Sequence, residues 1–176
     1  MIKFFVLFLV IQGILFGGEL TEPAQQLFVM PWTNFLATIS AGLVKWFDPH
    51  VLVAGKIVQS TTNGFAVSIE AGCNGVEATI VLIAAMLAFP APWKNKVIGL
   101  IAGVLAVQGL NIVRIISLFY LGQWSYEVFE WAHLYVWQAL IMLDVLIVWL
   151  LWVRTLPKID RGGPGGPPPS SAPAAA

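Results

Sequence analysis

Residues 97–121 form an apolar run with one charge, Arg114, and residues 134–153 form a second run with one charge, Asp144. Each reaches the roughly 20 residues that a helix rising 1.5 Å per residue needs to cross a hydrocarbon core of about 30 Å. Two such runs exclude an ordinary soluble domain. The composition agrees: 59% of residues are hydrophobic and 10% charged, against about 45–50% and about 25% in soluble domains. A length of 176 residues suits one embedded domain. Nine basic residues balance nine acidic ones, so no net positive field gathers nucleic acid and none is expected as a partner. The expected surroundings are a lipid bilayer. One cysteine rules out an intramolecular disulfide and a CxxC redox pair. One Cys and two distant His give too few metal ligands, so neither metal nor cofactor is expected.

Two further spans are expected. Residues 4–16 follow Lys3 and are almost wholly apolar; they resemble a signal peptide but lack an A-x-A cleavage site, and they are read as a retained helix. Residues 74–93 reach the needed length only if the helix starts just after Cys73 and runs to Pro90–Trp93. Residues 27–47 mix polar groups with Leu36, Ile39, Leu43 and Trp46 at helical spacing. That pattern predicts a helix lying on the outer surface, with a fifth crossing as the alternative. Residues 51–58 and 65–69 flank Thr61-Thr62-Asn63-Gly64, which predicts a β-hairpin leading to Cys73. Residues 161–176 are Gly, Pro, Ser and Ala, with Arg161 at their start, and are expected to be disordered, leaving 1–160 as the embedded domain. The expected fold is therefore an all-α polytopic membrane protein of about four transmembrane helices, with an extracytoplasmic interfacial helix and a β-hairpin.

Basic residues set the orientation. Lys94 and Lys96 lie in one turn, and Arg154, Lys158 and Arg161 follow the last span, whereas residues 122–132 hold Glu127 and Glu130 and no Lys or Arg. The positive-inside rule puts the basic turn in the cytoplasm and residues 19–73 and 122–133 outside.

Three chemically distinctive side chains then share the outer side. Cys73 sits in a Gly-rich turn, Glu70-Ala-Gly-Cys-Asn-Gly-Val-Glu77, entering a helix. Asn74 can cap that helix and Glu77 stands at the reciprocal capping position, so the helix dipole is expected to lower the thiol pKa. The plain alternative is a small buried apolar residue. His133 precedes or opens the last helix and can act as base to Cys73, or simply bind interfacial water; Glu130, three residues earlier, can orient its ring. Arg114 belongs to a stripe with Gln108, Asn111 and Ser117. It either pairs with Glu77 to hold helices together or faces a developing oxyanion. Asp144 is too deep to orient His133 and is read as a helix-packing group; His50 is read as solvated. The set suggests covalent acyl chemistry at the outer face.

The runs Ala-Gly-Cys73-Asn-Gly-Val-Glu-Ala, Asn111-Ile-Val-Arg114-Ile and Ala-His133-Leu-Tyr, in this order, resemble the exosortase/archaeosortase family, most closely its exosortase H subgroup. The resemblance implies a membrane-embedded cysteine protease or transpeptidase of the bacterial inner membrane. Such enzymes cleave C-terminal sorting signals of exported proteins through a thioacyl intermediate. It implies partners bearing an Ile-Pro-Thr-Leu-like motif, a transmembrane helix and a basic cluster. By motif match, Cys73 is the nucleophile, His133 the base and Arg114 the third catalytic group. A non-enzymatic scaffold that binds client helices is the alternative.

Overall fold

The computed structural model describes residues 2–156. The tail expected at 161–176, with Lys158, lies outside the described residues. Among the described residues four helices are long and apolar enough to cross a membrane: α1 (Ile2–Glu19), α2 (Glu22–Val44), α4 (Trp93–Trp124) and α5 (Tyr126–Thr155). Between α2 and α4 lie three short strands and a shorter helix, α3 (Val76–Ala88). The architecture is a polytopic, all-α membrane bundle with a small sheet at one end.

The membership of the four differs from the expectation. Residues 74–93 yield only the 13 residues of α3, about 20 Å of helix. Gly75, in the left-handed region at φ 71°, delays its start, and Phe89 turns extended ahead of Pro90 to end it. Protein surrounds α3: α1, α4 and α5 all pack against it, and Leu82, Ala84 and Met86 are wholly buried. A helix encased this way need not span lipid, because irregular backbone at membrane depth is tolerated when protein covers it. Residues 27–47, expected on the surface, fall mostly in α2, whose 23 residues are enough to cross. Its Leu36, Ala37, Ala41 and Val44 are buried with Ile115 and Phe119 of α4 and with Val51 and Val58 of the sheet.

The expected hairpin is a three-stranded antiparallel meander, β1 (Val51–Ala54), β2 (Ile57–Ser60) and β3 (Ala66–Ser68). The run 51–58 breaks at Gly55, whose φ of 57° makes an extra turn. The Asn63-Gly64 turn forms as predicted: Gly64 has φ 76°, and Asn63 Oδ1 accepts the Phe65 N–H at 3.0 Å.

Helices α4 and α5 both outrun their predicted limits, so the expected loop 122–133 is almost entirely helical. Ser125 alone separates them, in extended backbone, and its hydroxyl accepts the Val128 N–H at 3.4 Å. Close contacts join the elements, as lipid-facing bundles require. The Trp152 indole covers Gly99 and donates to the Asn95 carbonyl at 3.0 Å. The Phe65 ring covers Gly122, tying the sheet to α4. Asp144, expected to pack between helices, has a buried Oδ2 with no hydrogen-bond partner among the described residues. His50 is exposed, as expected.

Candidate active site

The short α3 recesses the site. Because it starts only at Val76, the loop before it reaches down beside α4. Cys73 thereby meets Arg114, ten residues, or about 15 Å, before α4 ends at Trp124. The loop turns at two left-handed glycines, Gly72 (φ 82°) and Gly75 (φ 71°). A Cβ on Gly75 would stand 3.0 Å from the Gln108 amide and 3.2 Å from Asn111 Cγ, so both the backbone and the packing demand glycine there.

Side chains lock this loop. Asn74 is fully buried; its Oδ1 accepts the Val76 N–H at 3.0 Å, and its Nδ2 donates to Thr33 Oγ1 on α2 at 3.1 Å. Glu77 Oε1 accepts the Gly72 N–H at 2.6 Å. The predicted capping pair is thus displaced. Gly75 occupies the cap position, Asn74 takes the first helical N–H, and Glu77 reaches back beyond the cap. Gln108 Nε2 donates to the Gly75 carbonyl at 3.1 Å and to Thr79 Oγ1 at 3.0 Å.

Cys73, Arg114 and His133 come together. Cys73 Sγ lies 3.0 Å from His133 Nε2. Arg114 Nη2 donates to the same sulfur at 3.5 Å, and Nη1 donates to the Gly72 carbonyl at 3.4 Å. Arg114 is buried, 2% exposed. Its expected pairing with Glu77 is not made; among the described residues the ion pair is Lys56–Glu70. A cavity of about 80 Å³ adjoins the thiol, walled by Ser68, Glu70, Leu118 and Phe129. That is room for a small carbonyl-bearing group, given about 30 Å³ per water in the liquid.

His133 lies inside α5, in a π-helical turn over Ala132–Val136, rather than at the helix start. π-turns often mark functional positions because the extra residue re-aims side chains. Its ring stacks on Phe129, with centroids 5.7 Å apart and planes at 14°. Glu130, expected to orient the ring, is exposed and forms no hydrogen bond to it; the ring swings to the Phe129 side of the helix instead. Asn111 is buried beneath Gly75 with neither amide atom paired among the described residues. It supports the loop from below and does not reach the thiol.

Burial pushes the Cys73 thiol up, the Arg114 charge opposes that shift, and Glu77 and Glu70 add to it. The lowering expected from the helix start is reversed. Cys73 sits two residues before the cap, and loss of water outweighs the dipole and the guanidinium. Burial thus favours the neutral form of a thiol that lies beside an imidazole.

Three contributors escaped the sequence reading. Phe129, four residues before His133, was legible as a helical neighbour. Gly72 was visible only as part of a Gly-rich turn. Thr33 carried no signal, since its role depends on where α2 docks.

The bundle and its half-buried thiol–imidazole pair, backed by the buried Arg114 guanidinium, define a polytopic membrane protein with a cysteine-centred site at one end. A family model described as transmembrane exosortase (Exosortase_EpsH) matches residues 1–155, and the chain belongs to that family. No curated protein and no solved structure matches the chain significantly.

Proposed function

We propose that this exosortase-family chain is a cysteine transpeptidase or protease that cleaves C-terminal sorting signals of exported proteins at the extracytoplasmic face of the bacterial inner membrane. The 3.0 Å approach of Cys73 Sγ to His133 Nε2 carries the reading. His133 Nε2 takes the thiol proton as sulfur attacks the scissile carbonyl, which overcomes the raised thiol pKa within the step itself. Arg114 N–H groups face the developing oxyanion. The C–N bond breaks, the imidazolium passes the same proton to the leaving amine, and the acyl group remains on sulfur as a thioester. An amine or water then attacks the thioester, giving its proton to His133 Nε2; the C–S bond breaks, and the proton returns to the released sulfur.

Charge and aromatic placement support the side. Lys94 and Lys96 open α4 and Arg154 closes α5, at the end away from Cys73. Trp124, Tyr126, Trp131 and Tyr135 are exposed near the site end, as in the aromatic belt of a membrane interface. Expected clients carry an Ile-Pro-Thr-Leu-like motif, an apolar helix and a basic cluster, following the exosortase H resemblance.

The test is co-expression with a reporter bearing such a signal, read by mass spectrometry. Wild type shortens the reporter at the motif, and Cys73→Ala leaves it at full length while still inserting. Normal shortening by Cys73→Ala overturns the nucleophile assignment.

A further inference from the structure

A second, larger cavity of about 580 Å³ lies between α1, α2, α3 and α4. Ile14, Phe28, Ile80, Ile83 and Val104 make its wall apolar, and Glu19, Thr79 and Gln108 also line it. Thr79 is fully engaged: its hydroxyl donates to the Gly75 carbonyl at 2.8 Å and accepts from Gln108. Glu19 and Gln108 are not. Gln108 is 7% exposed, and its Nε2 is held by the Gly75 carbonyl and Thr79. Its Oε1 is therefore an acceptor with no donor among the described residues. Glu19, the last residue of α1, is 8% exposed. Its carboxylate makes no hydrogen bond or ion pair among the described residues. A buried acceptor left unmet, here Gln108 Oε1, is costly, and Glu19 adds an acidic group to the same wall.

We propose that the cavity receives the first turn of the client's transmembrane helix, whose unpaired N–H groups are met by Glu19 and Gln108. This rests on the sorting-signal reading above. A helix start supplies up to four unpaired N–H donors and a partial positive charge on an otherwise apolar body. That matches the chemistry of the cavity. A lipid acyl chain brings no donors and leaves both acceptors unmet. Size agrees: one helical turn, about 10 Å across with a 5.4 Å pitch, occupies roughly 400 Å³. Depth agrees as well. Gln108 lies six residues before Arg114 on α4, about 9 Å along the axis. About three extended residues span that rise along the helix axis.

The test uses Cys73→Ala enzyme, which docks the reporter without consuming it, carrying a benzophenone amino acid at Phe28 or Ile83. The control position is Ile147, exposed on α5. Capture of the reporter at Phe28 and Ile83, at least tenfold above Ile147, is expected. Capture of lipid alone, or of the reporter equally at Ile147, overturns the proposal. In otherwise wild-type enzyme, Glu19→Ala should raise the reporter concentration for half-maximal cleavage about tenfold, the size of one lost charged hydrogen bond; an unchanged value overturns the role of Glu19. A reporter captured at Ile83 but never cleaved by wild type defeats the catalytic reading and leaves the docking site standing. A reporter that is cleaved yet captured only at Ile147 does the reverse.

Discussion

Arg114 directs a guanidinium N–H at Cys73 Sγ across 3.5 Å, and no carboxylate pairs with that guanidinium among the described residues. The charge is thus available to the sulfur. It opposes a burial effect that pushes the thiol up. The sign is definite: a nearby cation favours the thiolate, so removing it raises the thiol pKa further, whereas removing a nearby carboxylate lowers it. Alkylation of Cys73 by iodoacetamide should titrate above the range of free cysteine. Arg114→Met should move the midpoint up and slow alkylation at pH 7, and Glu77→Gln should move it down. A downward shift in Arg114→Met contradicts the arrangement.

In the proposed mechanism His133 bears the proton in both half-reactions. His133→Ala should lower reporter cleavage by about 10²–10⁴-fold while leaving insertion intact. Phe129→Ala, which removes only the stacked ring under the imidazole, should cost far less. Equal losses in the two variants would show that His133 acts by packing.

Glu130 is exposed and unbonded to the ring. Glu130→Gln should therefore leave both the rate and the pH profile of reporter cleavage within about twofold. An acid-limb shift in that variant restores Glu130 as the orienting group.

Gly75 is held at φ 71° with its missing Cβ facing Gln108. Gly75→Ala should destabilise by about 1–2 kcal/mol from the left-handed backbone alone, and by more from the contact. Thermal unfolding in detergent reads this. Adding Gln108→Ala should recover only part of the contact cost, because Asn111 Cγ stays 3.2 Å from the new Cβ and the Gln108 bond to the Gly75 carbonyl is lost. Full recovery means that the backbone conformation carries no strain.

Much of this was legible beforehand because it depends on local pattern. Apolar length marked α1, α4 and α5, the Asn63-Gly64 pair marked a turn, and the motifs around Cys73, Arg114 and His133 marked the three groups that meet. The misreadings have a common origin. Helix α3 looked like a span because its flanks are apolar enough, yet Gly75 and Pro90 cut it short. Helix α2 has the length of a span, the alternative to the surface helix expected; its polar residues, Thr33 among them, find partners only once α2 packs against α4 and the loop. Glu130 and Glu77 stood at helical offsets that suggested His133 and Asn74, but spacing does not tell which rotamer or loop path competes.

The amino-acid order by itself decided that this chain enters a membrane and which three side chains are chemically unusual there, since hydropathy and residue type act over a few turns of chain. Only the tertiary structure decided the depth of the thiol, its rise in pKa and its two neighbours. Those follow from desolvation and from contacts between residues 41 and 60 positions apart, which no local window contains.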